Sequence, residues 1–141
     1  MVKMLLASHG TLAAGMLSSL ELIMGRQECV EVLCAYVDGE DDVSPRVKRF
    51  MEQMKPEDSW IVCTDVFGGS INNEFMKYLD RDNMRLISGM SLPLVITAAS
   101  SMSSADTAAD VEKEVKEVIP DIVHFCSAIE LADQQGEDEE F

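Results

Sequence analysis

A histidine and an aspartate, each standing where an apolar run gives way to glycine, are the residues of this chain best placed to do chemistry. The first run, Val2 to Ser8, opens into Ser8-His9-Gly10-Thr11-Leu12-Ala13-Ala14-Gly15. Imidazole titrates near neutral pH, so a nucleophilic fraction is present at cellular pH. A helix beginning just after His9 would turn free N–H groups toward an anion. Gly10 would let the backbone approach closely. On these grounds His9 is open to three roles: nucleophile, general base or metal ligand. A histidine merely bonded to a nearby carbonyl is the plain structural alternative, and position alone does not separate them.

The second run, Trp60 to Thr64, opens into Asp65-Val66-Phe67-Gly68-Gly69-Ser70-Ile71-Asn72-Asn73. If its strand neighbours the first, Asp65 accepts a hydrogen bond from one ring nitrogen of His9. That fixes the tautomer and leaves the other nitrogen to attack. Gly68 and Gly69 would open N–H groups toward a phosphate, and Ser70 reads as a helix cap whose hydroxyl suits an anion. A glycine turn with a capping serine is common in α/β folds, so the paired loops carry more weight than either alone.

These loops need a scaffold, and the rest of the chain supplies one. Apolar runs at Val2–Ser8, Val30–Val37, Trp60–Thr64 and Met84–Ser88 predict four strands. Between them, helices are expected with Leu12, Met16, Leu20 and Ile23 on one face and Gly25 as the stop. A second follows a Ser44-Pro45 start with Val47, Phe50, Met51 and Met54 inward; others cover Asn72–Leu79, Ser91 through Ala99, and Ala105–Val118. Strand alternating with helix predicts an open, mostly parallel sheet with helices on both faces. In such sheets ligands bind beyond the carboxyl ends of the strands. That rule selects the loops after Ser8 and Thr64, with the loop after Tyr36 a weaker third. Ile122 to Phe125, beyond Pro120, reads as a short last strand.

Composition narrows the function classes. The 141 residues suit one domain, and 47% hydrophobic residues provide for a core. A formal charge of -15 opposes nucleic acid as a partner. Part of it lies in Glu137, Asp138, Glu139 and Glu140, so residues 130–141 read as an acidic, flexible tail after a domain of residues 1–129. The N-terminal apolar stretch is too short for a signal peptide's core and reads as a strand. Cys29, Cys34, Cys63 and Cys126 form no CxxC pair, so no metal site is assigned and a reduced, cytoplasmic setting is expected. Asp41 and Asp42 lack further ligands for a cation. Arg46, Lys48 and Arg49 read as solvated helix surface, His124 as a structural or dimer-contact residue, and Leu12, Met16 and Phe67 as candidate docking residues around His9. A GxxxxGK[ST] or GxGxxG loop is absent, which weakens a general nucleotide-binding module.

Taken together, Ser-His-Gly-x-x-Ala-x-Gly at residues 8–15 and Asp-Val-Phe-Gly-Gly-Ser-x-Asn-Asn at residues 65–73 resemble the mannose-type IIA family of the bacterial sugar phosphotransferase system. The resemblance extends through Ser19, Glu21 and Gly25, and through Gly89 and Leu92-Pro93, covering Met1 to about Ile129. It implies that His9 takes a phosphoryl group from HPr on the ring nitrogen distal to the backbone. His9 would pass it to a IIB component that phosphorylates sugar entering through a membrane permease complex. Asp65 would hold the other nitrogen, and Gly10, Gly68, Gly69 and Ser70 would stabilise the group, with no cofactor. It also implies a homodimer in which the short C-terminal strand, antiparallel to the four parallel ones, is exchanged between subunits. Two departures stand out: Ile71 replaces a common proline, and Met90-Ser91 replaces an asparagine-containing run. A regulatory IIA-like domain that senses phosphorylation state, or the related dihydroxyacetone kinase phosphotransfer subunit, would share the same histidine.

Overall fold

Four strands, β1 (Val2–His9), β2 (Val30–Ala35), β3 (Ser59–Thr64) and β4 (Met84–Ser88), form one parallel sheet in the order β2-β1-β3-β4. The computed structural model describes residues 1–128. Between the strands run α1 (Leu12–Met24), α2 (Ser44–Gln53) and α3 (Ser70–Met76); α4 (Leu92–Met102) and α5 (Ala108–Val118) follow β4. The four expected parallel strands and the five expected helices are present, with small shifts at their ends.

Side chains alternate across β1, and this sorts the core into two halves. Met4 and Leu6 join Ile61 and Cys63 against α1, α4 and α5. Leu5 and Ala7 join Val62 and Leu33 against α2 and α3. Both faces of the central strands are therefore covered, which is why β1 and β3 read as continuous apolar runs. Burial pushes the Cys63 thiol up to about 12, so it stays protonated and acts as an apolar filler.

In α1 the residues packed inward are Ala13 and Leu20, with Met16, Leu17 and Met24 beside them. Leu12 and Ile23, expected on that inner face, lie exposed. At α2 the cap sits one step earlier than Ser44-Pro45 suggested. Ser44 is already helical, and Asp42 Oδ1 accepts from its N–H at 3.0 Å and from its hydroxyl.

Ile122 to Phe125 form no strand within the single chain; they follow a short 3-10 turn at Ile119–Asp121, with Val123, His124 and Phe125 exposed. An exchanged strand gains its hydrogen bonds only from a partner's sheet edge, which a single chain does not contain. The acidic segment 130–141 and the domain boundary at residue 129 lie outside the described residues.

Two buried polar ties anchor the loops that leave β1 and β3. Ser8 Oγ accepts from the Ala13 N–H at 2.7 Å and donates to Gly10 O at 3.3 Å, fastening the turn into α1. Thr64 Oγ1 donates to Asn72 Oδ1 at 2.7 Å, fastening the end of β3 to α3. Thr64 and Asn72 are both buried, so neither can exchange its partner for water. Asn72→Ala is expected to lower stability by about 1–3 kcal/mol, because the Thr64 hydroxyl loses its acceptor. Urea unfolding should show an earlier midpoint with an unchanged slope.

Candidate functional site

The topology puts the two chemical loops side by side. β1 and β3 are neighbours with Ala7 opposite Thr64, so His9 and Asp65 emerge from the same end of the sheet. The chain also reverses direction across the sheet here, since β2 lies on one side of β1 and β3 on the other. Such a switch point leaves a crevice between loops that diverge to opposite faces.

Asp65 Oδ2 accepts twice from one residue: from the His9 backbone N–H at 2.8 Å and from ring Nδ1 at 2.8 Å. Its other oxygen accepts from the Val66 N–H at 3.0 Å. Burial works against the charged carboxyl, but the His9 backbone and ring and the Val66 N–H outweigh it and hold Asp65 below the usual carboxylate range. An ionised carboxylate only accepts, so the neutral His9 ring carries its proton on Nδ1. Nε2 then bears the lone pair, and among the described residues no hydrogen bond engages it. The exposure matches this division: the His9 side chain is 48% exposed and that of Asp65 only 8%.

Two of the glycines spend their N–H groups on backbone carbonyls. Gly10, at φ +59°, turns the chain out of β1, but its N–H is spent on Ala35 O at 2.8 Å. The Gly69 N–H closes a turn onto Val66 O at 3.2 Å. What Gly69 supplies is room: a Cβ there would stand 3.2 Å from Val66 O and 3.3 Å from His9 Cε1. Gly68, at φ +84°, takes a left-handed backbone that a side chain would strain, and its carbonyl accepts from Asn73 Nδ2 at 3.2 Å.

Ser70 is not the cap of α3. Gly69 holds that position, with no side-chain cap, and Ser70 is the first helical residue. Its hydroxyl lies 2.6 Å from the Tyr36 hydroxyl. The Tyr36 ring in turn sits 5.4 Å from the His9 ring, tilted by 35°. Thus the loop after β2, the weakest of the three expected, closes the third side of the site. Arg46 is also not plain solvated surface: it pairs with Glu40 at 2.7 Å and donates to the Cys34 carbonyl. Sequence signals for these roles were slight. Tyr36 stands at a strand end, but nothing in its spacing connects it to Ser70.

Around His9, Leu12, Val66 and Phe67 are exposed, while Met16 is half-buried against the core. His124 lies on a different part of the chain and is exposed. Among the described residues no group of three or more His, Cys, Asp or Glu side chains is arranged to hold a metal. No helix among them is long and apolar enough to cross a membrane.

A family profile described as "PTS system fructose IIA component" matches residues 3–115. The chain belongs to this family. Solved structures agree. A Klebsiella pneumoniae protein assigned as a phosphoenolpyruvate-dependent sugar phosphotransferase system permease is 36% identical. That match covers 91% of this chain and 93% of the other, with a TM-score of 0.83. Phosphotransferase system component EIIA from Streptococcus agalactiae is 26% identical over 89% of this chain and 97% of its own, with a TM-score of 0.75. The IIA protein associated with the fucose utilization operon of Streptococcus pneumoniae is also 26% identical, over 87% and 92%, with a TM-score of 0.71. This IIA component is thus a phosphotransferase-system protein of the mannose and fructose type.

Asp65→Asn provides a test of the geometry. The amide faces one N–H with another, so stability at pH 7 should drop by about 1–3 kcal/mol. The wild-type advantage has a defined pH sign. The folded carboxyl is held below its unfolded value, so its contribution is present above the ordinary carboxylate range and is lost as pH falls through the folded value. Thermal melts should show the two proteins converging below about pH 4.

Proposed function

We propose that this IIA component is a phosphocarrier in which His9 Nε2 takes a phosphoryl group from HPr and hands it to a IIB component. The observation that carries the reading is the Nδ1 to Asp65 hydrogen bond on an otherwise exposed ring, which leaves Nε2 as the open nucleophile. In the forward step the Nε2 lone pair forms a bond to phosphorus. The P–N bond of the donor's phosphohistidine breaks, and its electron pair returns to the donor ring. The His9 ring keeps its proton on Nδ1 and gains positive character, which the Asp65 carboxylate offsets. The second step is the same exchange in reverse, with a IIB histidine as acceptor and His9 as leaving group. Transfer of this kind depends on positioning and electrostatics more than on covalent chemistry.

Gly69 lets the loop lie against the Cε1 edge of the ring, and Ser70, the next residue, offers a hydroxyl to the phosphoryl oxygens. Gly10 and Gly68 shape the turns that open the site. Exposed Leu12, Val66 and Phe67 give protein partners an apolar rim to dock on. The chain works in the cytoplasm on proteins and phosphate alone, and it reaches the sugar permease complex only through IIB. The phosphorylation chain is reconstituted from phosphoenolpyruvate, enzyme I and HPr. Wild type and His124→Ala are expected to take up acid-labile, base-stable phosphate, and His9→Ala none. Failure of wild type to label with a cognate HPr would sink the carrier reading and leave a degenerate or merely binding domain.

The working form is a homodimer in which Ile122 to Phe125 add, antiparallel, to the partner's β4. Two features support this: β4 ends the sheet, and Val123 and Phe125 stand 70% and 79% exposed in the single chain. Replacing both, Val123→Asp with Phe125→Asp, should shift the protein from dimer to monomer in sedimentation. A wild type that sediments as a monomer at micromolar concentration would refute the exchange.

A further inference from the structure

Tyr36 is held beside His9 more firmly than a surface tyrosine requires, by groups that take no part in holding His9 itself. It follows β2 with a left-handed backbone at φ +63°, uncommon for a residue with a side chain. Its N–H donates to Glu40 Oε1 at 2.9 Å. Arg46 grips both oxygens of Glu40, at 2.7 and 2.8 Å, and also reaches the Cys34 carbonyl on β2. The Arg46 guanidinium and the Tyr36 N–H bring Glu40 down to about 2, so the clamp stays charged throughout the working pH range. Its product is a ring against the His9 imidazole and a hydroxyl 2.6 Å from Ser70 Oγ.

We infer that Tyr36 is a positioning residue for the phosphoryl group: its hydroxyl donates to Ser70 Oγ, so that Ser70 turns its own hydrogen toward the phosphoryl oxygens on His9. The inference rests on His9 being the phosphoryl acceptor. Hydrogen counting gives it direction. A hydroxyl has one hydrogen and two acceptor sites. If Ser70 donated to Tyr36, it would meet the phosphoryl oxygens with lone pairs alone, which repel them. With Tyr36 as donor, the order is Tyr36 to Ser70 to phosphoryl oxygen. Each bond in such a series polarises the next. Neither hydroxyl gains or loses a proton or bond during transfer. The tilted Tyr36 ring adds a second constraint by limiting rotation of the imidazole away from Asp65.

The test is a double-mutant cycle on the full chain: wild type, Tyr36→Phe, Ser70→Ala and both together, assayed for transfer from phospho-HPr regenerated by enzyme I and phosphoenolpyruvate. Tyr36→Phe keeps the ring and removes one oxygen. It should lower kcat about three- to tenfold while KM for phospho-HPr stays within about twofold, since the lost hydrogen bond faces Ser70 rather than the partner. Ser70→Ala should cost at least as much, and the double variant no more than Ser70→Ala alone. Tyr36→Leu, which also removes the ring, should be slower than Tyr36→Phe. Wild-type transfer by Tyr36→Phe overturns the inference. So do losses that multiply in the double variant, or a change confined to KM. A wild type that accepts no phosphate overturns the carrier reading and this inference together, which tells the two failures apart.

Discussion

One carboxylate oxygen accepting both N–H groups of one histidine is the constraint that the rest of the fold meets. Asp65 Oδ2 can reach the backbone N–H and Nδ1 of His9 together only if the two strands end within a residue or so of each other. The register provides that: Ala7 faces Thr64, so Asp65 stands one residue beyond the pair and His9 two. A slip of one residue would turn every side chain of β3 to the opposite face. Ile61 and Cys63 would leave one core half while Val62 left the other. The core that stabilises the sheet therefore also sets the distance between His9 and Asp65.

The site itself is exposed, and its order comes from ties placed beneath it. Ser8 and Thr64 are the last buried residues before each loop, and each spends its hydroxyl on the following helix. The third loop is held by charge instead, through Glu40 and Arg46. Here burial is only partial, so the pair contributes little to global stability. Its consequence is local: it keeps Tyr36 in a backbone conformation that would otherwise relax. Stability and preorganisation are thus carried by different residues, as expected where a rigid sheet presents functional loops.

The strands and the two main loops were legible in the sequence because apolar runs, glycine and strand-end polarity are local signals. Asp65 as partner of His9 was legible only conditionally, since no local pattern states that β3 lies beside β1. Three things were hidden for physical reasons. The cap of α3 falls on Gly69, and the one-residue shift changes Ser70 from a cap into a partner of Tyr36. Arg46 pairs across a loop whose path follows from three left-handed residues, Tyr36, Asp38 and Gly39, of which only the last is marked by its type. Leu12 and Ile23 have helical spacing yet face outward, because α1 packs along Ala13 and Leu20, where a small residue allows close approach to the sheet.

The departure at Ile71 shows how magnitudes decide whether a sequence difference matters. As the second residue of α3, a proline there would pre-set the backbone, which is worth about 0.4–1 kcal/mol through the unfolded chain. Isoleucine forgoes that gain, and its N–H precedes the first intrahelical bond, which Asn73 donates to Gly69. Its side chain, however, is fully buried with Phe75 in the core half beneath α2 and α3. The extra apolar carbon relative to proline is worth about 0.8 kcal/mol on burial. The two terms are of equal size and opposite sign, so the exchange is close to neutral for stability. Isoleucine thus anchors the helix start by packing, where proline would do so by restricting the backbone. In both cases the placement of Gly69 beside His9 and of Ser70 beside Tyr36 lies outside the change, and the geometry around His9 is left to the residues that build it.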